Sequence, residues 1–156
     1  MKGRITTPDT LTSQITFKGT PVIWQHRLWG LGDANEEHNN GIFFHGEKGL
    51  IFATDSSVLI CESGKNGKKE ELSLPGESVQ ELHMKNFLDS VRTKDKKLIS
   101  CPPEDAFRST STVQLAMISY YTGSVVNWDN EKKEIIANPA ASKMLKREYR
   151  AKYIHP

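Results

Sequence analysis

The chain has few of the residues that characterise disulfide-rich, fibrous or membrane-spanning proteins. Its 156 residues include two cysteines, Cys61 and Cys101, which form no Cys-x-x-Cys pair. We therefore expect no disulfide framework and predict two buried free thiols. The 11 glycines and 7 prolines follow no period, which excludes a collagen-like chain.

Long apolar runs are also absent. The longest apolar stretch, residues 49–61, is interrupted by Asp55 and is far shorter than the roughly 20 residues of a membrane-spanning helix. The N-terminal run MKGRITTPDTLTSQ has no apolar segment typical of a signal peptide. We therefore expect no membrane partner, and the sequence leaves the cellular compartment unknown.

Neither sign of charge is in large excess. Lysine and arginine number 21 against 19 aspartates and glutamates, a net charge of +2. A nucleic-acid-binding protein concentrates basic residues on one face, so we expect no nucleic-acid partner. The basic and aromatic residues 147–153 resemble such a face only superficially. We interpret them as a tail docked on protein, because no other segment adds a basic surface.

The motifs of self-sufficient active sites are missing as well. Five histidines show neither His-x-His nor His-Glu-x-x-His spacing, so we predict no metal site. No Gly-x-Gly-x-x-Gly fingerprint, phosphate loop or Gly-x-Ser-x-Gly elbow is present. The residues alone therefore predict no catalytic residue and no bound cofactor in this chain.

What the sequence does contain is a change of hydrophobic period. Before residue 62, apolar residues alternate with polar ones or form short runs between turn residues, which is typical of strands. Strands are predicted at residues 11–17, 22–28, 41–46, 50–54 and 58–61. The polar connection 62–71 is predicted to be a solvated tip, and the long polar segment 29–40 to be a functional or mobile loop.

After residue 77 the period becomes helical. A helix is predicted over 78–92, opened by a capping box at Ser78 and Glu81. An extended piece at 98–100, a helix over 104–122 ending at Gly123, a strand at 125–128 and a short helix over 138–145 follow. The predicted class is α+β: one domain over 1–156, with an open mixed, largely antiparallel sheet and two main helices on one face.

Five motifs occur in a fixed order: the hairpin FFHGEKGLI (43–51), the helix LHMKNFLDSVR (82–92), the two-part helix motif FRSTS (107–111) with ISYYTG (118–123), and the endings WDNEK (128–132) and REYR (147–150). They resemble motifs of the Gfo/Idh/MocA oxidoreductases, and the two endings resemble those of a bacterial subfamily. The resemblance covers nearly the whole chain, from about residue 8 to 156.

This resemblance implies a two-domain enzyme whose N-terminal Rossmann domain binds NAD or NADP. The family's Glu-Lys-Pro motif and catalytic histidine precede the region matched here, and neither occurs in this sequence. The chain therefore looks like the C-terminal domain alone, either a truncated form or one product of a split gene. Two hypotheses follow: the substrate-binding and oligomerisation half of a sugar or cyclitol dehydrogenase, inactive alone, or a free-standing binding or assembly module.

The partners expected are a Rossmann domain, a small polyol or sugar and a second copy of the chain. Because Phe43 and Phe44 are neighbours on one strand and face opposite ways, one of them must lie on the sheet face away from the helices. Such an aromatic face predicts a dimer through the sheet; a polar outer face and a monomer are the alternative.

Four residues are predicted to contact the hydroxyl or carboxylate groups of a substrate in a complete enzyme. They are His26, Arg27, His38 and Arg108. Three of them lie in or beside the long loop, and Arg108 opens the Ser/Thr-rich start of the second helix. That helix start either permits tight packing or turns a polar face toward a ligand, and Arg108 either binds substrate or bridges to the missing domain.

Overall fold

A computed structural model describes residues 7–29, 40–74, 78–147 and 149–153. The strands are β1 (Thr10–Phe17), β2 (Thr20–Arg27), β3 (Ile42–Gly46), β4 (Gly49–Ala53), β5 (Ser57–Glu62), β6 (Lys69–Ser73), β7 (Asn127–Asp129) and β8 (Glu134–Ile136). The helices are α1 (Val79–Thr93), α2 (Pro103–Thr122) and α3 (Pro139–Lys143), with a 3₁₀ helix at Lys96–Leu98. The chain divides into two compact units, Met1–Thr10 with His26–Ser100 and Leu11–Gln25 with Cys101–Pro156.

Strands β1 and β2 form the predicted hairpin. Its two-residue turn has positive φ at both positions, 48° at Lys18 and 89° at Gly19, which is the type I′ geometry that suits the twist of a hairpin. In β1 the residues Leu11, Ser13 and Ile15 are half-buried between exposed neighbours. This alternation confirms the period of two that the sequence predicts.

Strands β3 to β6 form an antiparallel sheet in the order β3-β4-β5-β6. The strand β6 corrects a prediction, because residues 69–71 belong to it and not to a solvated tip. All five of its residues are exposed, and it is held by backbone pairing with β5. Backbone hydrogen bonds need no apolar side chains, so the hydrophobic pattern gave no sign of this strand.

Both faces of this sheet carry apolar side chains. On one face the Phe52 ring is only 3% exposed and stacks on Phe43 with 4.4 Å between ring centroids. Gly41 permits this packing, because a β-carbon there would collide with the Phe52 ring. The register places six apolar residues on the other face: Ile42, Phe44, Ile51, Val58, Ile60 and Leu72.

Helix α1 begins where the sequence predicts. The Ser78 hydroxyl accepts a hydrogen bond from the Glu81 N–H at 3.4 Å, the first half of the predicted capping box. The helix ends at Lys94, whose backbone is left-handed. The extended piece expected at 98–100 is corrected in part, because Leu98 is the last residue of the 3₁₀ helix. The Asp95 carboxylate caps this helix by accepting a hydrogen bond from the Lys97 N–H.

The second unit contains α2, the hairpin of β7 and β8, and α3. Helix α2 ends at the predicted Gly123, with φ of 58°. A small core joins the three elements through Ile118, Ile135 and Ala141. Strand β8 was not predicted, because its three residues follow a charged turn and are too few to show a period.

Short helix α3 begins at Asn138, as predicted, and the Asn138 side chain accepts from the Ala141 N–H at 3.1 Å. It ends at Lys143, two residues before the predicted Leu145. The strand expected at 125–128 is shifted to Asn127–Asp129. Such shifts are usual at the ends of short elements, where hydrogen bonds rather than side-chain pattern set the limit.

The α+β class with largely antiparallel pairing is confirmed. The strands of the described residues form three separate sheets. The placement of both helices on one face and the interpretation of the chain as a single domain stay predictions. The predicted burial of the thiols is wrong. Cys61 is half-buried, and Cys101 is exposed because it lies in the polar linker before α2. Among the described residues, no helix is both long and apolar enough to cross a membrane.

Candidate functional site

The base of the first hairpin holds the end of β2 in a defined place. The Leu28 N–H donates to the Asp9 carbonyl at 2.9 Å. The indole Nε1–H of Trp29 donates to the Thr10 hydroxyl oxygen, also at 2.9 Å. These two bonds hold Leu28 and Trp29 against the start of β1.

Arg27 lies against the same indole. Its guanidinium carbon is 5.9 Å from the centroid of the Trp29 ring, within the range of a cation–π interaction. A planar guanidinium presents paired donors that match a carboxylate or vicinal hydroxyl groups. The structure therefore places a cation near an exposed aromatic ring at the start of the predicted binding loop.

His26 does not join this arrangement. It is the neighbour of Arg27 on β2, so their side chains point to opposite faces of the strand, and His26 is exposed. His38 lies outside the described residues, as does most of the loop that contains it. The roles of His26, Arg27 and His38 in binding a substrate stay predictions.

Arg108 belongs to the second unit, near the start of α2. Its Nη1 is 3.3 Å from the Asp105 carboxylate, and the two side chains are 65% and 59% exposed. An exposed ion pair of this kind contributes at most about 1 kcal/mol. The guanidinium is therefore held only weakly by its helix, and its predicted role in binding stays a prediction.

The hydroxyl groups around Arg108 serve the helix itself. Ser109 donates to the Asp105 carbonyl at 3.0 Å, and Thr112 donates to the Arg108 carbonyl at 2.8 Å. This bonding to the preceding turn is the usual behaviour of serine and threonine inside helices. The hydroxyl hydrogens of Ser109 and Thr112 are therefore used within the helix, while the choice between tight packing and a polar face toward a ligand stays a prediction.

The turn between β7 and β8 carries a carboxylate whose pKa is displaced, that of Asp129. Asp129 accepts from the backbone N–H groups of Lys132 at 3.0 Å and Glu131 at 2.9 Å. These bonds, that of Lys132 first, hold the pKa of Asp129 below its ordinary value of 3.8. Lys133 follows in the turn and lies 5.4 Å over the ring of Phe107 on α2.

A positioning residue that the sequence did not single out is Asn86, on α1. Its Oδ1 accepts from both the N–H and the hydroxyl of Ser100 at 3.0 Å, and its Nδ2 donates to the Leu98 carbonyl. One side chain thus fastens the 3₁₀ segment to the helix. In the sequence, Asn86 is a polar residue beside the apolar face of α1. Such a position is normally interpreted as solvated surface, so the sequence did not indicate this role.

The absence of a metal and of a bound cofactor from this chain stays a prediction, on which two observations bear. In residues 7–29, 40–74, 78–147 and 149–153, no three His, Cys, Asp or Glu side chains come together as ligands. Helix α2 begins at Pro103 without a side-chain cap, and its first turn carries Glu104 and Asp105. A pyrophosphate binds a helix N-terminus through a glycine-rich turn, and two carboxylates there would repel it.

Comparisons with curated proteins and with solved structures give no match. Comparison with protein-family models matches residues 27–155 to the one described as the oxidoreductase family, C-terminal alpha/beta domain, of the Gfo/Idh/MocA group. The match covers most of the chain and includes both main helices and the four-stranded sheet. The chain belongs to the Gfo/Idh/MocA oxidoreductase family and corresponds to its C-terminal alpha/beta domain.

Proposed function

We propose that this chain is the substrate-binding and oligomerisation half of an NAD- or NADP-dependent dehydrogenase that acts on a small sugar or cyclitol. The match of residues 27–155 to the C-terminal oxidoreductase domain carries the proposal. In this arrangement the cofactor and the hydride transfer belong to a Rossmann domain. The present chain binds and orients the polyol and does not catalyse oxidation alone.

The base of the hairpin supports this assignment. Sugars and cyclitols present vicinal hydroxyl groups and apolar C–H faces, and proteins bind them with fixed hydrogen-bond donors and an aromatic ring. Arg27 and Trp29 provide both groups, with the guanidinium carbon 5.9 Å from the ring centroid. Arg108, in the second unit, is a separate candidate for contacting a substrate carboxylate.

A titration followed by nuclear magnetic resonance tests the proposal on the chain as it exists. The probes are myo-inositol, D-glucose and D-gluconate, added to protein labelled with ¹⁵N. We expect saturable shifts of the Arg27 backbone amide and the Trp29 indole N–H with at least one probe. No saturable shift with any of the three would contradict the proposed substrate class.

Two arginine variants separate binding from local structure. Arg108→Ala should weaken the binding of D-gluconate several-fold. Arg92→Ala is the matched control, because Arg92 forms the same exposed pair with Asp89 at 3.3 Å on α1. Equal effects of the two substitutions, or none, would remove Arg108 from the site and favour its role as a bridge to another domain.

We further propose that the chain forms a dimer through the face of its four-stranded sheet. The exposed side chains of Ile42 (60%) and Phe44 (55%) support an apolar interface there. Ile51→Lys, on the same face, should halve the mass of the wild-type assembly measured by light scattering. Glu70→Lys, at a polar position of that face, is the control and should leave the mass unchanged.

The alternative is a binding or assembly module without any enzymatic role. The described residues expose many large apolar side chains, and such a surface fits a protein partner better than a polyol. This observation favours the binding or assembly module. The titration distinguishes the two. Self-association without any response to the three probes would support the module, whereas a saturable response supports the substrate-binding half.

A further inference from the structure

The two edges of the four-stranded sheet differ in chemistry. Strand β6, at one edge, has the sequence KEELS, with three charged residues of five. Strand β3, at the other edge, has the sequence IFFHG and contains no Lys, Arg, Asp, Glu or Pro. Charged side chains and proline are the usual protection of an edge against pairing with another strand. The edge at β6 is protected in this way, and the edge at β3 is not.

The register shows which backbone groups β3 directs outward. Gly46 and Gly49 flank a two-residue turn and therefore form a hydrogen-bonded pair. Bonded and non-bonded pairs alternate along an antiparallel ladder, so Phe43 and His45 form no backbone bonds with β4. Their N–H and C=O groups point away from the sheet. The close stacking of Phe43 on Phe52 agrees, because side chains approach most closely in non-bonded pairs.

These outward groups are arranged symmetrically about Phe44. We propose that β3 pairs with the β3 of a second copy of this chain, antiparallel, about a two-fold axis at Phe44. In this register Phe43 lies opposite the second copy's His45, and His45 lies opposite the second copy's Phe43. Each of the two pairs exchanges two N–H···O=C bonds, four in total, and the two four-stranded sheets become one continuous sheet.

The pattern of side chains favours a second copy over an unrelated strand. Phe43 and His45 lie on one face with their rings stacked 6.1 Å apart, so the symmetric register continues this aromatic row across the axis. On the other face the two Phe44 rings become direct neighbours. An isologous contact of this kind closes after two copies and does not extend into a fibre. This interface is separate from the sheet-face contact proposed above and does not depend on it.

Disulfide trapping tests the register. Phe44 lies directly opposite itself across the axis in a non-bonded pair, where β-carbons are about 5 Å apart and a disulfide can form with a small adjustment. With Cys61→Ala and Cys101→Ala as background, Phe44→Cys should form a covalent dimer under mild oxidation. Leu72→Cys, on the same face but on β6, is the matched control and should remain a monomer. Equal trapping of both variants would overturn the proposed register.

Removal of one outward donor tests the hydrogen bonds. His45→Pro deletes an N–H that β4 does not use, and proline is tolerated on an edge strand. It should halve the mass of the wild-type assembly measured by sedimentation velocity. Glu71→Pro makes the same change at the outer edge of β6 and should leave the dimer intact.

Three outcomes would overturn the edge pairing. The first is a wild-type chain that remains a monomer at high concentration. The second is a His45→Pro variant with native circular dichroism and an unchanged dimer. The third is an Ile51→Lys variant of only 17.6 kDa, because a variant that lost just the sheet-face contact should keep the edge dimer. If His45→Pro does not fold, the trapping experiment still decides.

Discussion

At the scale of single residues, Lys18 has a backbone conformation that side chains with a β-carbon adopt at a cost. Its φ of 48° lies in the left-handed region that a type I′ turn requires. Asparagine adopts this conformation more readily than lysine. We expect Lys18→Asn to raise the free energy of unfolding by about 0.5–1 kcal/mol. Urea denaturation followed by circular dichroism measures the change.

The second two-residue turn provides the control for this prediction. Lys48 ends the turn between β3 and β4, and its φ is not positive. The same substitution, Lys48→Asn, should therefore leave the stability nearly unchanged. A gain of equal size at both turns would show that the effect comes from the loss of a lysine charge and not from the backbone.

Asp129 gives the chain a pH-dependent contribution to stability. Because its pKa in the folded chain is lowered, chiefly by the Lys132 N–H, the carboxylate stabilises the turn above pH 3.8 and loses this effect as the pH falls through the lowered value. Asp129→Asn should therefore be less stable than wild type at neutral pH. The difference should shrink progressively below pH 3.8. A difference that persists unchanged in acid would contradict the charge-based explanation.

At the scale of elements, Asn86 joins α1 to the segment that follows it. Asn86→Ala removes three hydrogen bonds at once and should lower the free energy of unfolding by about 2 kcal/mol. Ser100→Ala removes only the hydroxyl bond and should cost about 1 kcal/mol or less. Hydrogen exchange at residues 96–100 would show the local loosening directly. Similar costs for both variants would mean that Asn86 does not act as the common anchor.

Elements whose side chains alternate or repeat were predictable, whereas those held by backbone pairing were not. The first hairpin, α1 and α2 each show a period, a cap or a turn residue in the sequence. Strands β6 and β8 show none, because all five residues of β6 are exposed and the three residues of β8, of which Ile135 is in the core, are too few to show a period. These two strands form because neighbouring strands pair with them, and that pairing depends on the fold and not on their own sequence pattern.

At the scale of the whole molecule, the family was predictable and the details of its site were not. Five short motifs in a fixed order indicated the oxidoreductase family, and the family match confirms it. The anchoring of Trp29 by Thr10 depends on how the ends of two strands meet. Thr10 and Trp29 are 19 residues apart, and periodicity carries no information about such a contact.

The charge distribution at the start of α2 leads to a last prediction, that this chain binds no dinucleotide. A pyrophosphate needs backbone N–H groups exposed by a glycine-rich turn, but α2 begins with Pro103, which has no N–H, followed by Glu104 and Asp105. Titration with NADH or NADPH, followed by nicotinamide fluorescence, should show no saturation up to millimolar cofactor. A dehydrogenase of known affinity is the positive control. Saturation at micromolar cofactor would assign the cofactor site, and with it hydride transfer, to this half of the enzyme.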